Sequence, residues 1–288
     1  MKILILMVLP FFIYASSISI QILGSGGPEF SKRASSSYLI WIDGRARVLV
    51  DMGGGAFLRF TQSGAKLKDL QAIALTHLHI DHCADLPLFM KAGFFTDRTD
   101  MLPILGTVSG GDFPNIKTYL QRLFGEHGAY AYMNDILTPQ SDSFEIRAIT
   151  LPKQMSILSV GNIKITSIGV QHGSIPAIAY AFEIDGKKIV FSGDTSSLSN
   201  NIIKLSQNAD YLIVTHAISQ NAGEFVKKLH MTPLRIGEIA KQAHVKNLIL
   251  AHRMNRTIGK EDESEQFIRK NYNRKIIWAE DLMRIDVF

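Results

Sequence analysis

The sequence predicts a single α/β domain, on three observations. Short β-branched runs bounded by Gly, Asp or Asn recur along the whole chain. Segments with helical apolar spacing fall between them. No internal repeat and no low-complexity linker divides the 288 residues. Apolar residues make up 46% and charged residues 20%, enough for a sizeable core and against wholesale disorder.

The N-terminus reads first as a secretory signal. Met1-Lys2 precedes an uncharged apolar run, Ile3 to Tyr14, and Ala15-Ser16-Ser17 follows as a small-x-small site. The run falls short of the roughly 20 apolar residues of a membrane span. Residues 1–17 are therefore expected to be a signal peptide and 18–288 the mature domain, with no stable span after cleavage. The expected location is periplasmic or secreted. The single cysteine, Cys83, allows no internal disulfide, which suits the periplasm if the source is bacterial.

Strands are then expected at 18–23, 37–43, 46–51, 72–76, 145–151, 162–169, 178–184, 187–192, 211–215, 247–251 and 283–288. Asp43-Gly44 and Asp185-Gly186 read as hairpin turns between strand pairs. Helical spacing marks Ile116, Tyr119, Leu120, Leu123 and Phe124, and again Ile236, Ile239, Ala240 and Ala243. Thr232 and Pro233 open the second of these helices. Periodicity weakens from about 94 to 140, which reads as loop, either covering a site or in an ordinary packing role.

The chemistry concentrates in Thr76-His77-Leu78-His79-Ile80-Asp81-His82, directly after an apolar run. In extended chain His77 and His79 project to one side and can share a metal ion. Asp81 and His82 lie in the turn beyond and can aim at a second ion. A lone histidine would read as a solvated or hydrogen-bonded side chain, but three histidines at this spacing read as ligands. Zinc needs further donors. His172, Asp194 and His252 each follow a strand pattern, so their side chains are expected to converge at one sheet edge.

H-x-H-x-D-H, a later His, Ser192-Gly193-Asp194-Thr195 and the final Leu250-Ala251-His252 resemble the metallo-β-lactamase superfamily. The chain is most similar to the branch of ribonuclease Z, the zinc arylsulfatases and the phosphodiesterases. Leu23 to Pro28 with Arg33 and Ser36, Val50 to Gly55, and Ala279 to Met283 resemble other elements of that branch. The resemblance implies a four-layer αββα sandwich. It places His77, His79 and His172 on one ion, Asp81, His82 and His252 on a second, and Asp194 between them. Asp51 would orient the histidine loop. Two Zn2+ are implied, with Mn2+ or Fe2+ as alternatives.

Two such ions can share a water and lower its pKa towards about 7, giving a hydroxide nucleophile. The expected catalytic residues are Asp81, His230 and His216. His230, ahead of Thr232-Pro233, matches a histidine that assists the leaving group; its plain reading is a capping or surface residue. His216 aligns with a His-Glu pair of the branch, but its neighbour is Ala217, so the carboxylate is missing. It reads equally as a supporting or a simply buried side chain. His127 and His244 carry no motif, and Cys83 reads as an inert buried thiol.

The expected function is therefore hydrolysis of a phosphodiester or aryl sulfate of a small anionic substrate, and a homodimer is compatible with it. The first alternative is ribonuclease Z-like tRNA 3′ processing. The signal peptide, Ala217 and the mere 21 residues between His172 and Asp194 argue against it. That interval is too short for the RNA-gripping arm of the tRNA enzymes. The net charge of +5 is scattered, which also weighs against nucleic acid. Lactonase or β-lactamase-like activity and a non-catalytic metal-binding role complete the alternatives.

Overall fold

The computed structural model describes residues 16–138 and 144–288, so residues 1–15 of the expected signal peptide lie outside the described residues. The strands are β1 (Ile18–Gly24), β2 (Ser37–Ile42), β3 (Arg45–Val50), β4 (Ala72–Ala74), β5 (Leu102–Thr107), β6 (Ile146–Leu151) and β7 (Ser156–Val160). They continue as β8 (Ile163–His172), β9 (Ile175–Ile184), β10 (Lys187–Phe191), β11 (Tyr211–Thr215), β12 (Asn247–Ala251), β13 (Lys275–Trp278) and β14 (Arg284–Val287). The helices are α1 (Ala56–Gln62), α2 (Ile80–Cys83), α3 (Leu86–Gly93), α4 (Ile116–Phe124), α5 (Asn201–Leu205), α6 (Glu224–Lys227), α7 (Pro233–Gln242) and α8 (Glu261–Arg269). No helix among the described residues is long and apolar enough to cross a membrane.

The strands form two seven-stranded mixed sheets, β14-β1-β2-β3-β4-β5-β6 and β13-β12-β11-β10-β9-β8-β7. In each, an antiparallel part is joined to a parallel part: at β3 in the first sheet and at β10 in the second. Side-chain alternation then dictates the layers. Tyr38, Ile40 and Ile42 of β2 face Tyr180, Phe182 and Phe191 of the other sheet, whereas Leu39 and Trp41 turn outward. The outward set packs with Phe60 of α1, Phe89 of α3 and Leu120 of α4. On the far side Val190, Leu212 and Leu248 pack with Ile202 of α5, Ile236 and Ile239 of α7, and Ile268 of α8. Three apolar layers therefore hold four structural ones, the αββα sandwich that the resemblance implied.

Three strands escaped the sequence reading. β5 carries Pro103 and Gly106 inside the stretch read as loop, yet it is wholly buried between β4 and β6. Its pairing with β4 begins at Ile104, so Pro103 has no donor to supply there. β7 is an edge strand and β13 a four-residue one, both too short or too exposed for a clear pattern.

One cross-sheet connection positions the histidine motif. Beyond β4, the Leu75 carbonyl accepts the Tyr180 hydroxyl at 3.0 Å and the Thr76 carbonyl accepts the Ile178 N–H at 2.9 Å. Both donors belong to β9 of the opposite sheet. Tyr180 is fully buried, so its removal leaves a carbonyl unsatisfied. Tyr180→Phe is expected to lower unfolding free energy by roughly 1–3 kcal/mol, measured by chemical denaturation; an unchanged midpoint would show that this bond adds nothing to stability.

Candidate metal centre

Past β4 the chain bends at Thr76, and His79, the residue before α2, is extended with φ −65° and ψ 148°. His77 and His79 come together there, with Nε2 of the first 3.1 Å from Nδ1 of the second. The single turn of α2 then swings Asp81 and His82 towards the same space. Asp51, just past β3, ties this segment down. Its Oδ1 accepts the Thr76 N–H at 2.7 Å, while its Oδ2 accepts the Thr76 hydroxyl at 2.9 Å and His82 Nδ1–H at 2.8 Å. Asp51 does so at φ 56°, a left-handed conformation costing of order 1 kcal/mol. Next to it, a Cβ on Gly53 would lie 2.1 Å from the Asp81 carbonyl oxygen, so only glycine allows the two segments to meet.

The other ligand types arrive from the strand ends. His172 closes β8, Asp194 follows β10, and His252 follows β12 at φ 52°. A Cβ on Gly27 would sit 2.7 Å from His252 Cε1, so the glycine turn after β1 forms a wall of the site. His77, His79, His172 and Asp194 make one group of potential metal donors; Asp81, His82 and His252 make a second. Asp194 stands between them. Its Oδ2 is 3.7 Å from His172 Nε2 and 3.6 Å from His252 Nε2, and its Oδ1 is 3.7 Å from His82 Nε2. All seven ligands expected from the sequence are thus brought together.

These spacings also suit donors that share a cation. His172 Nε2 lies 3.3 Å from His79 Nδ1, and His252 Nε2 lies 3.1 Å from Asp81 Oδ2. With metal–nitrogen bonds of about 2.0–2.1 Å, tetrahedral ligand atoms are separated by about 3.3–3.4 Å. The ring nitrogens also have the right tautomers. His172 Nδ1–H donates to the Leu229 carbonyl at 2.8 Å and His82 Nδ1–H to Asp51, leaving each Nε2 directed at the cluster. Thr76 Oγ1, whose own proton goes to Asp51, accepts His77 Nδ1–H at 3.1 Å.

Electrostatics point the same way. Buried His82 Nε2 and Asp194 Oδ1 have no hydrogen-bond partner. Burial opposes charging His82, yet Asp51, Asp194 and Asp81 outweigh it and push it up to about 10, so a cation binding at Nε2 would displace a proton held there by the surrounding carboxylates. Burial likewise opposes charge on Asp194, but His252, His230 and His82 hold its carboxyl well below the usual carboxylate range. Burial, followed by His82, keeps His77 neutral and ligand-competent. The cluster is a set of carboxylates and lone pairs facing inward that is completed by cations. The donors fit zinc, and the nitrogen and oxygen set also admits manganese or iron.

His230 joins the centre. It is buried, its Nδ1 has no hydrogen-bond partner and lies 3.7 Å from Asp194 Oδ2, and its ring adjoins those of His172 and His252. Burial pushes it down to about 4, so it is a neutral imidazole. His216 is not brought in. Its Nε2 meets Ser264 Oγ at 2.9 Å and its ring abuts Trp278, so its expected catalytic role gives way to the buried, structural reading. Cys83 is buried, pushed up to about 11 by that burial, and donates to the His79 carbonyl; it braces the loop as a thiol.

Two neighbours were not found from sequence. Phe113 places its ring 5.5 Å from that of His79, but it lies in the stretch read as loop. Arg256 is anchored by Nε to the Ala217 carbonyl at 2.6 Å and acts electrostatically on His230. It follows His252 by four residues in a segment without regular pattern, so nothing marked it.

Residues 46–253 match the beta-lactamase superfamily domain. The ribonuclease Z of Methanosarcina acetivorans is 24% identical over 306 aligned positions, covering 94% of this chain and 98% of that protein. The ribonuclease Z of Mycobacterium sp. strain KMS is 27% identical, covering 94% and 96%. Among solved structures, the metallo-β-lactamase fold protein YhfI of Bacillus subtilis superposes with a TM-score of 0.75 at 22% identity, covering 94% of this chain and 99% of that one. The short form of human tRNase Z gives 0.71 at 21%, with the same coverage. With its domain match, its two-sheet sandwich and its gathered histidines and aspartates, the chain belongs to the metallo-β-lactamase superfamily.

Proposed function

We propose that this protein is a metal-dependent phosphodiesterase acting on a small anionic substrate after export. The observation that carries the reading is Asp194, held between two complete groups of imidazole and carboxylate donors. Two ions bound there would supply Lewis acidity towards phosphate oxygens and would acidify a water. His77, His79 and His172 would hold one ion and Asp81, His82 and His252 the other. Asp51 fixes the tautomer of His82 and the path of the loop. His230, neutral and carrying one ring proton, stands beside Asp194 ready to protonate a departing alkoxide. Arg256, exposed near His230, is the cation available to an anionic substrate.

The ribonuclease Z relatives support a second reading, cleavage of a tRNA precursor. They favour phosphodiesters over the aryl sulfates of the sequence reading and support the tRNA alternative more directly than a small substrate. Two features of this chain favour a small one. Residues 173–193 are used up by a tight turn, β9, a hairpin and β10, so no arm projects there. Ala217 stands where the branch carries a carboxylate.

Zinc-loaded protein is expected to hydrolyse an aryl phosphodiester, with activity lost on chelation and in His79→Ala; preferential cleavage of a tRNA 3′ trailer would favour the second reading. Turnover of neither substrate above the His79→Ala background would remove the phosphodiesterase. His230→Ala should slow esters with poor leaving groups more than those with good ones, and equal loss on both would remove its proton-donating role. Asp51→Asn should weaken zinc affinity about 10–100-fold in a chelator competition; unchanged affinity would show that His82 needs no such support.

A further inference from the structure

We infer that the loops around the metal centre form a surface that docks on an anionic phospholipid bilayer. Four separate segments that supply or abut the ligands each carry a large, solvent-exposed apolar side chain. Ile80 directly follows His79 and is 73% exposed; Leu198 lies four residues after Asp194 and is 64% exposed. Phe225 on α6 lies five residues before His230 and is 75% exposed, and Phe30, three residues beyond Gly27, is fully exposed. Scattered singly such side chains are ordinary on a protein surface, but here four of them flank the ligand segments of one centre.

Hydrogen bonds tie these segments together in pairs beside the ligands they flank. Ser197 N–H donates to the Lys227 carbonyl and Ser197 Oγ accepts the Thr232 N–H, joining the Leu198 loop to the α6 segment. Asn255, three residues after His252, donates its N–H to Glu29 and its side-chain amide to the Phe30 carbonyl.

Charge selects the occupant. Glu29 is engaged by Asn255, and Glu224 is paired with Lys227. Lys32, Lys228 and Arg256 are exposed and form no ion pair among the described residues, although Lys228 acts on Glu224 and exposed Asp112, beside Phe113, opposes them. Isolated apolar tips interspersed with lysines match a headgroup layer, which admits single side chains and attracts cations. Stacking on single-stranded RNA would call for aromatic platforms, whereas only Phe30 and Phe225 of the four tips are aromatic and Ile80 and Leu198 are aliphatic. Resting on the phosphodiesterase reading above, the docked centre would meet phospholipid headgroups, themselves phosphodiesters. Hydrolysis would add one water across a P–O bond and leave a phosphomonoester and an alcohol.

Flotation of the full chain with vesicles tests the surface independently of turnover. Uptake by phosphatidylcholine vesicles containing phosphatidylglycerol should exceed uptake by phosphatidylcholine alone. It should fall about tenfold in Phe30→Ser/Phe225→Ser and in Lys32→Glu/Lys228→Glu. Both variants should keep wild-type hydrolysis of a soluble aryl phosphodiester, while headgroup release from the vesicles falls with uptake. Absence of uptake, or equal uptake by both vesicle types, overturns the proposal. So does loss of a homodimer in the Phe variant without any vesicle binding, which would make the rim a contact between copies. Displacement from vesicles by RNA at low concentration would overturn it in favour of a nucleic-acid surface. Uptake without headgroup release removes the substrate class and leaves the docking surface standing.

Discussion

One carboxylate organises the centre. Asp51 accepts three hydrogen bonds, two from Thr76 and one from His82, and those bonds decide where the histidine motif can run. Without them the segment after β4 would be a short loop between a sheet and a helix, free to place His77 and His79 in many ways. Hydrogen bonds to a charged acceptor contribute about 1.5–3 kcal/mol each. That comfortably exceeds the order 1 kcal/mol cost of the left-handed backbone at Asp51 itself. The strain is held because the strand, the glycine beside it and the buried carboxylate all specify the same conformation.

The sandwich supplies what a lone loop could not. Ligands from the ends of β8, β10 and β12 are far apart along the chain, and only the pairing of seven strands brings them within reach of the loop after β4. The two sheets are also bonded to each other at the crucial point, through Tyr180 and Ile178 to Leu75 and Thr76. The apolar layer between the sheets therefore sets the depth of the site as well as the stability of the fold. Around the opening, Arg33 and Arg253 share Glu280, and Asp281 accepts from Ser25 and the Ala34 N–H. The 25–36 loop is thereby fastened against the segment that carries His252. A rim held so firmly can keep Phe30 in water without collapsing onto the metals.

Most of the site was legible because metal chemistry restricts residue types severely. Three histidines and an aspartate crowded into six positions after a buried strand suit little besides metal binding, and His172, Asp194 and His252 repeat the same strand-then-ligand grammar. His230 and His216 were both expected to be catalytic from the resemblance, though neither sits in a ligand motif of its own. Only the packing of α8 and Trp278 against one, and the open side of Asp194 against the other, separates them. β5 was hidden because Pro103 and Gly106 are poor strand formers, and tertiary pairing on both sides overrides local preference. Phe113 and Arg256 were hidden for a different reason. Irregular loops carry no period from which a side chain's direction can be read.

Zinc-edge X-ray absorption on the metal-loaded chain tests the central claim most directly, because it reads the surroundings of the ions without reference to any substrate. Two ions held by these seven side chains predict imidazole scattering together with a metal–metal vector of about 3.5–4 Å. Spectra showing no imidazole scattering, or no second metal at full loading, would contradict it.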